Sequence, residues 1–407
     1  MTSWARTIAD DPNHSTWYVE RMRGLAADGE DLAAGATGCS ADADDGPGPS
    51  RADGGWRELP EPPLSPRTDA AVVGIGDSVL VAGGWEFLCP PNADCVTPEE
   101  PLLQDAAVYD RSTDSWRTVA PPPFGVLGSA STVLDGSAYL LSRCATGPAC
   151  DAPLRLLSYR LADDRWTDHG RVPGPERGAR LVPLDRTVLV AADASALGRV
   201  PDVVFDPGTS TWSELPADPL PPVFDRFVVQ AGDQLVVAGS AVMPPGSQER
   251  PRTVAARLDL ASGMWTVLPD GPGSAYRLFP TDDGPLLAGH FGDDDSSWLL
   301  DQQSWSWTAA PDHGDGTEGV SGVLDRERAT YSLAWLPDPS RRPVVYDSAA
   351  DAFVVVPAPP VDDGVSGQSS TGVGRDFFLF GGQRWDGDAY ADGELLRGAW
   401  LWTAPTA

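Results

Sequence analysis

The 407-residue chain sets 59 acidic residues against 29 basic ones, a formal net charge of −30. That balance argues against a nucleic-acid partner and an anionic membrane surface, because both need clustered Lys and Arg. No run approaches the ~20 apolar residues of a membrane span, and 43 Gly, 40 Pro and 15 Trp favour short strands and tight turns over long helices.

Residues 1–30 read differently from the rest. Ser15 to Ala27 has a helical composition, with Trp17, Met22 and Leu25 close to one face and Asp28-Gly29 as a stop. This stretch resembles the start of small bacterial class I methyltransferases. The glycine-rich cofactor loop of such enzymes is absent, so no methyl transfer is inferred. Residues 1–38 also lack the apolar core of a signal peptide, with Glu30 and Asp31 where one is needed. A misplaced start or a gene fusion that replaced a signal peptide accounts for both features. Residues 31–54 form an expected flexible, acidic linker. Within it, Cys39 follows Ala36-Thr37-Gly38 and resembles a bacterial lipobox, with Ala36 where the usual leucine stands. Two readings stay open for Cys39: lipidation, or a free thiol in a linker.

From Trp56 onward one phrase recurs. Strand-like stretches end at Asp110, Arg160, Asp206, Asp259, Asp301 and Asp347, and an aromatic follows six residues later each time: Trp116, Trp166, Trp212, Trp265, Trp307 and Phe353. Such regularity marks internal repetition. The anchoring Asp is suited to hydrogen-bonding the turn it opens, and the aromatic brings large apolar area to the return strand. Each phrase is preceded by a predicted hairpin. The first pairs 70–75 with 78–84, which ends in Gly83-Gly84. The others pair 129–134 with 137–142, 178–184 with 187–192, 227–231 with 234–239, 276–281 with 285–289, 320–324 with 329–334, and 369–373 with 377–382. Every unit then reads as a four-stranded meander.

On Arg67, Gly83-Gly84, Tyr109-Asp110, Trp116 and Gly381-Gly382 the chain resembles the Kelch family of β-propellers, over residues 56–403. The double glycine decays to Ala191-Ala192, Ala238-Gly239 and Ala288-Gly289 in later units, and to Ser142-Arg143 in the second. The expected fold is all-β: a propeller domain over residues 55–407 with seven blades. Six units are complete, and the seventh lacks a fourth strand. Trp56–Leu59 opens the fold without a partner and is predicted to supply it, closing the ring.

Cys89 and Cys95, and likewise Cys144 and Cys150, are separated by five residues in Pro/Ala-rich loops. Small disulfide rings fit this spacing better than zinc, whose ligand pairs usually lie closer and which would want a nearby histidine. Two such rings imply an oxidising compartment. The expected location is therefore extracytoplasmic, lipid-anchored or secreted, and cytoplasmic if the N-terminus is as written.

Two residue sets fall on the face where first strands begin and second strands end. Arg67, Arg177, Arg226 and Arg277 form the first. In Kelch-like domains this arginine is often structural, and the functional reading is a cationic mouth for an anionic sugar or carboxylate. Trp85, Arg143, His290, Trp335, Arg384 and Trp385 form the second, suited either to sugar or protein contact or to packing beneath long loops. Enzymatic signals are weak. Galactose oxidase-like enzymes share this fold and hold copper with tyrosines and histidines, but only four histidines exist here and no convincing tyrosine–cysteine pattern surrounds them. Ser112-Thr-Asp-Ser-Trp116 does not meet the sialidase Asp-box, and the acidic run Asp293-Asp294-Asp295 lacks calcium-loop spacing. The expectation is a monomeric, non-enzymatic module that binds protein or carbohydrate, with no cofactor and no metal. The alternative is a carbohydrate-active or oxidase-like propeller enzyme.

Overall fold

The computed structural model describes residues 55–405, apart from 91–101, 129, 143–153, 176–177, 196–198, 245–246, 248–250, 274, 290–296, 314–316, 326–328, 332–341, 360–364 and 387–391. The segments 1–30 and 31–54, with Cys39, lie outside the described residues. No described helix is long and apolar enough to cross a membrane.

The recurring phrase folds as its chemistry dictates. Asp110 Oδ1 accepts from Ser112 N at 2.8 Å, Ser112 Oγ at 2.6 Å and Thr113 N at 3.3 Å. Asp206, Asp259, Asp301 and Asp347 accept from their own turns in the same manner. Four residues after each anchor the backbone takes a left-handed φ, at Asp114, Asp164, Ser210, Gly263, Trp305 and Asp351. That residue turns the chain back into the return strand. In three blades a tyrosine one position before the anchor closes onto the left-handed Asp: Tyr109 OH donates to Asp114 at 2.6 Å, Tyr159 OH to Asp164 at 2.9 Å, and Tyr346 OH to Asp351 at 2.7 Å.

Burial first, and then the hydrogen bond to Asp, raises the Tyr109 and Tyr159 hydroxyls to about 12; Tyr346 moves in the same direction. A folded pKa above the unfolded value near 10 means that this stabilisation is complete below pH ~10. It is lost as pH rises from there toward the folded values, because the unfolded chain ionises first. Melting temperature should therefore fall along an alkaline limb above pH ~10, and the Tyr109→Phe/Tyr159→Phe double variant should show a flatter limb in a pH-resolved melting series.

Seven four-stranded sheets build the domain among the described residues. Blade 1 consists of Ala71–Ile75, Ser78–Ala82, Ala106–Asp110 and Ser115–Thr118. Blade 2 comprises Ser131–Leu134, Ser137–Ser142, Arg155–Arg160 and Arg165–Arg171. Ala179–Leu184, Thr187–Ala192, Val203–Asp206 and Thr211–Glu214 form blade 3. Blade 4 runs through Val223–Ala231, Gln234–Ala241, Thr253–Asp259 and Met264–Val267, and blade 5 through Ala275–Phe279, Leu286–Gly289, Ser297–Leu300 and Trp307–Ala309. Blade 6 holds Thr317–Leu324, Ala329–Tyr331, Arg342–Asp347 and Ala352–Val355. In blade 7, Ser369–Val373, Asp376–Phe380 and Ala399–Thr403 are completed by Gly55–Glu58, which pairs antiparallel with Ala399–Thr403 and sets Trp56 opposite Trp402. The ring closes as the opening Trp56 predicted.

The core lies between the blades rather than within them. One apolar layer joins Val79, Val81 and Tyr109 of blade 1 to Phe378, Phe380 and Leu401 of blade 7. Further layers fill the seams 1–2, 2–3, 3–4, 4–5, 5–6 and 6–7 in cyclic order. Two polar devices stitch these seams. On the outside, the blade tryptophan donates its indole N–H to a carbonyl of the preceding blade: Trp116 to Pro60, Trp166 to Ala120, Trp265 to Pro216, Trp307 to Pro269 and Trp56 to Pro357, all between 2.7 and 3.1 Å. On the channel face, the double glycine binds forward: Gly84 N donates to Val126 O at 2.8 Å, and Gly382 N to Arg67 O at 2.9 Å.

Two expectations change. The strand ends at Ala82, and Gly83 and Gly84 follow it with φ of 65° and 96°. A Cβ at Gly83 would lie 2.1 Å from the Val126 carbonyl oxygen. The doublet is therefore a left-handed exit that only glycine tolerates, not the end of a strand. In blade 6 the order is not a simple meander. Thr317–Leu324 occupies the second position, parallel to Arg342–Asp347, and Ala329–Tyr331 lies at the edge of the sheet. Burial accounts for the exchange. The second position is covered on both faces, and Val320, Ser321, Gly322, Val323 and Leu324 are all buried there, while Thr330 is exposed.

Candidate functional site

The arginines separate by what they touch. Arg67 is fully buried and places every N–H: Nε on Ser65 O, Nη1 on Gly83 O and Asp105 Oδ1, and Nη2 on Ser65 Oγ and Asp105 Oδ2, all within 2.9 Å. Arg226 grips the Asp202 carboxylate with both Nη atoms, adding Ala192 O at 2.9 Å and Asp218 Oδ2 at 3.0 Å. Asp105 and Asp202 each precede the third strand of their blade, so the two latches are equivalent. Their routes differ, because Arg67 holds its own blade and Arg226 reaches back from blade 4 to blade 3. The cationic-mouth reading is thereby corrected for this pair: their donors serve the scaffold, because a buried guanidinium must be paired. Arg226→Met leaves two largely buried carboxylates without their cation and should cost about 3–5 kcal/mol, read from denaturant midpoints.

Of the second set, Trp85, Arg384 and Trp385 are described, and they lie at the seam of blades 7 and 1. The chain leaving Gly381-Gly382 does not return directly to the blade. It forms a three-stranded sheet, Val365–Ser366 with Gln383–Asp386 and Asp392–Leu395. Gln383 binds the loop that leaves blade 1 through both ends of its amide: Oε1 accepts from Cys89 N at 2.9 Å and Nε2 donates to Cys89 O at 2.5 Å. Arg384 pairs with Glu394 across the added hairpin. Trp85 is half-buried, and its backbone pairs with Thr68 in both directions. The Trp85 indole N–H and the Gln368 side-chain amide N–H are buried and meet no acceptor among the described residues.

Trp385 is only 8% exposed. Its ring lies against Gly393, where a Cβ would come within 2.6 Å of the ring. It is therefore a packing residue of the added sheet and not an exposed stacking platform. Arg277 lies on the first strand of blade 5. Arg143, Arg177, His290, Trp335, Cys95, Cys144 and Cys150 fall outside the described residues. Of the histidines, His169 packs between Tyr139 and Phe205 and shares a 2.8 Å hydrogen bond with Ser158 Oγ, and burial lowers its pKa. Among the described residues, no three His, Cys, Asp or Glu side chains are arranged around a metal position.

Sequence reasoning missed Gln383 and the added sheet. The extra spacing between Gly382 and Gly398 was their only signal.

Seven four-stranded sheets closed by an N-terminal strand define a β-propeller. Residues 66–123, which span blade 1, match the Kelch motif. Among solved structures, one titled "Structure of YjhT" is similar over 61% of this chain and 84% of its own, with 17% identity and a TM-score of 0.39. No curated protein matches the chain.

Proposed function

We propose that this propeller is a non-enzymatic binding module of the bacterial cell envelope, recognising a protein or carbohydrate ligand through the rim at the seam of blades 7 and 1. The observation that carries the reading is the added sheet, braced on the Cys89 loop by Gln383. Blades 1 to 5 follow one pattern, and at blade 7 the rim departs from it with a tied, preorganised surface of the kind that lowers the ordering cost of binding. The Arg384–Glu394 pair supplies polar contacts beside it. An extracytoplasmic location belongs to the same reading, with Cys89 closed onto Cys95 and Cys144 onto Cys150. Cys89 being disulfide-bonded, with its partner outside the described residues, supports it.

A glycan array and a peptide array probed with the purified protein test the proposal. Retention on either, lost at least tenfold with Gln383→Ala while the melting temperature stays close to wild type, is the expected result. Retention unaffected by that change, or stoichiometric copper with sugar-dependent peroxide release, would overturn it. A count of free thiols under denaturing conditions tests the location: one or none supports it, and five removes it.

A further inference from the structure

Across the ring from that rim, one arginine is treated differently from the latches. Arg180 lies on the first strand of blade 3, and counted back from the hairpin turn it stands where blade 1 has Ala71. Its guanidinium lies over the Phe227 ring of blade 4, 4.1 Å from the centroid, and Nε donates to Arg226 O at 3.1 Å. These two contacts fix the plane of the fork. Neither Nη group has an acceptor or a carboxylate partner among the described residues, and the side chain is half-buried.

The surroundings are polar. Arg277 of blade 5 and the carboxylates of Asp193 and Asp225 are close enough to act on Arg180 electrostatically. Burial holds the Arg180 pKa below its ordinary value and the Asp225 pKa above its own. Asp225 is nevertheless solvent-exposed, so it lies at the surface rather than in the core. The Asp193 carboxylate fits against Gly178 because that residue has no side chain: a Cβ there would lie 2.4 Å from its oxygens.

We propose that Arg180, with Arg277 beside it, forms an anion subsite at the channel mouth that takes the carboxylate of a ligand. An oriented guanidinium with both Nη groups available offers two parallel N–H donors, which match a carboxylate bidentately. Asp193 and Asp225 offset the positive charge of Arg180 and Arg277, so the subsite favours a monoanion over a dianion such as phosphate. The chain's net charge of −30 adds a long-range barrier that a more highly charged ligand feels more strongly. This subsite uses blades 3 to 5 and stands independently of the rim at blades 7 and 1.

Calorimetric titration of wild type, Arg180→Lys and Arg180→Gln with sodium glucuronate, glucose and inorganic phosphate tests it, with each variant's melting curve recorded. The expected result is binding of glucuronate but not glucose by wild type, weaker binding of phosphate, and at least a tenfold loss of glucuronate affinity in both variants. Lysine keeps the charge and the stem, so its loss isolates the fork, and Arg180→Lys alone decides the matter if the glutamine variant does not fold. Equal glucuronate affinity in wild type and Arg180→Lys, phosphate bound more tightly than glucuronate, or no glucuronate binding by wild type would each overturn the proposal.

Discussion

Gly372→Ala is expected to destabilise the propeller by about 3 kcal/mol or more, the upper range for overpacking a close-packed interior. A Cβ at Gly372 would lie 1.8 Å from the Ala329 carbonyl oxygen and 2.6 Å from its carbon. On the other side, a Cβ at Gly74 would lie 2.0 Å from Gly372 O. Inner strands of blades 6, 7 and 1 thus meet backbone to backbone, and no flexible side chain is present to yield. Gly74→Ala should behave similarly. Gly76→Ala is the control: it has the left-handed φ of 59° but nothing within 4 Å of the new Cβ. Its cost should stay near the ~1–2 kcal/mol of backbone strain alone. Denaturant unfolding of the three variants separates close approach from conformational strain. A Gly372→Ala protein as stable as Gly76→Ala would contradict the packing described here.

Removing residues 55–59 should have the second large effect. The strand Gly55–Glu58 supplies the ladder to Ala399–Thr403, the Trp56 indole bond to Pro357 and the buried Leu59 side chain. Arg57 adds bonds to Tyr109 OH at 2.8 Å and Asp114 at 2.9 Å, which bind the closing strand to blade 1. A buried leucine at ~2 kcal/mol and several hydrogen bonds at ~1 kcal/mol each sum to about 5 kcal/mol, comparable with the whole stability of many domains. The truncation would also expose Ala399–Thr403, Ala-Trp-Leu-Trp-Thr, as an apolar edge that invites edge-to-edge pairing. Lower melting temperature together with loss of solubility is the expected outcome. Unchanged thermal unfolding would refute the closure.

Much of this architecture is legible because the same physical demand recurs in each blade. The turn needs an acceptor at Asp110 and its counterparts, and the seam needs a large ring with a donor at Trp116 and its counterparts. Both therefore appear at fixed spacing. What the spacing does not encode is which partner a residue finds. Arg67 and Arg226 look alike in sequence, yet one latches its own blade and the other the blade before. The strand exchange in blade 6 is hidden for a similar reason: 317–324 and 329–331 both read as strands, and relative burial decides their order. Gly83-Gly84 was legible as a landmark but not as a left-handed exit, since a strand end and a turn share the same glycines. Arg180 was overlooked because a lone arginine in a strand reads as outward-facing. Its displacement of a small apolar residue at the channel face was the available clue.

The indole bonds across the seams have a spectroscopic consequence. Trp56, Trp116, Trp166, Trp265 and Trp307 each place the indole N–H on a carbonyl of the neighbouring blade, and each ring is half-buried. Their emission therefore monitors whether blades remain in contact, not whether strands within a blade stay paired. Far-ultraviolet circular dichroism monitors the pairing. If blades separate before their strands unravel, the tryptophan red shift will precede the loss of the β signal on heating, and the interval between the two curves will measure how independently a blade can stand.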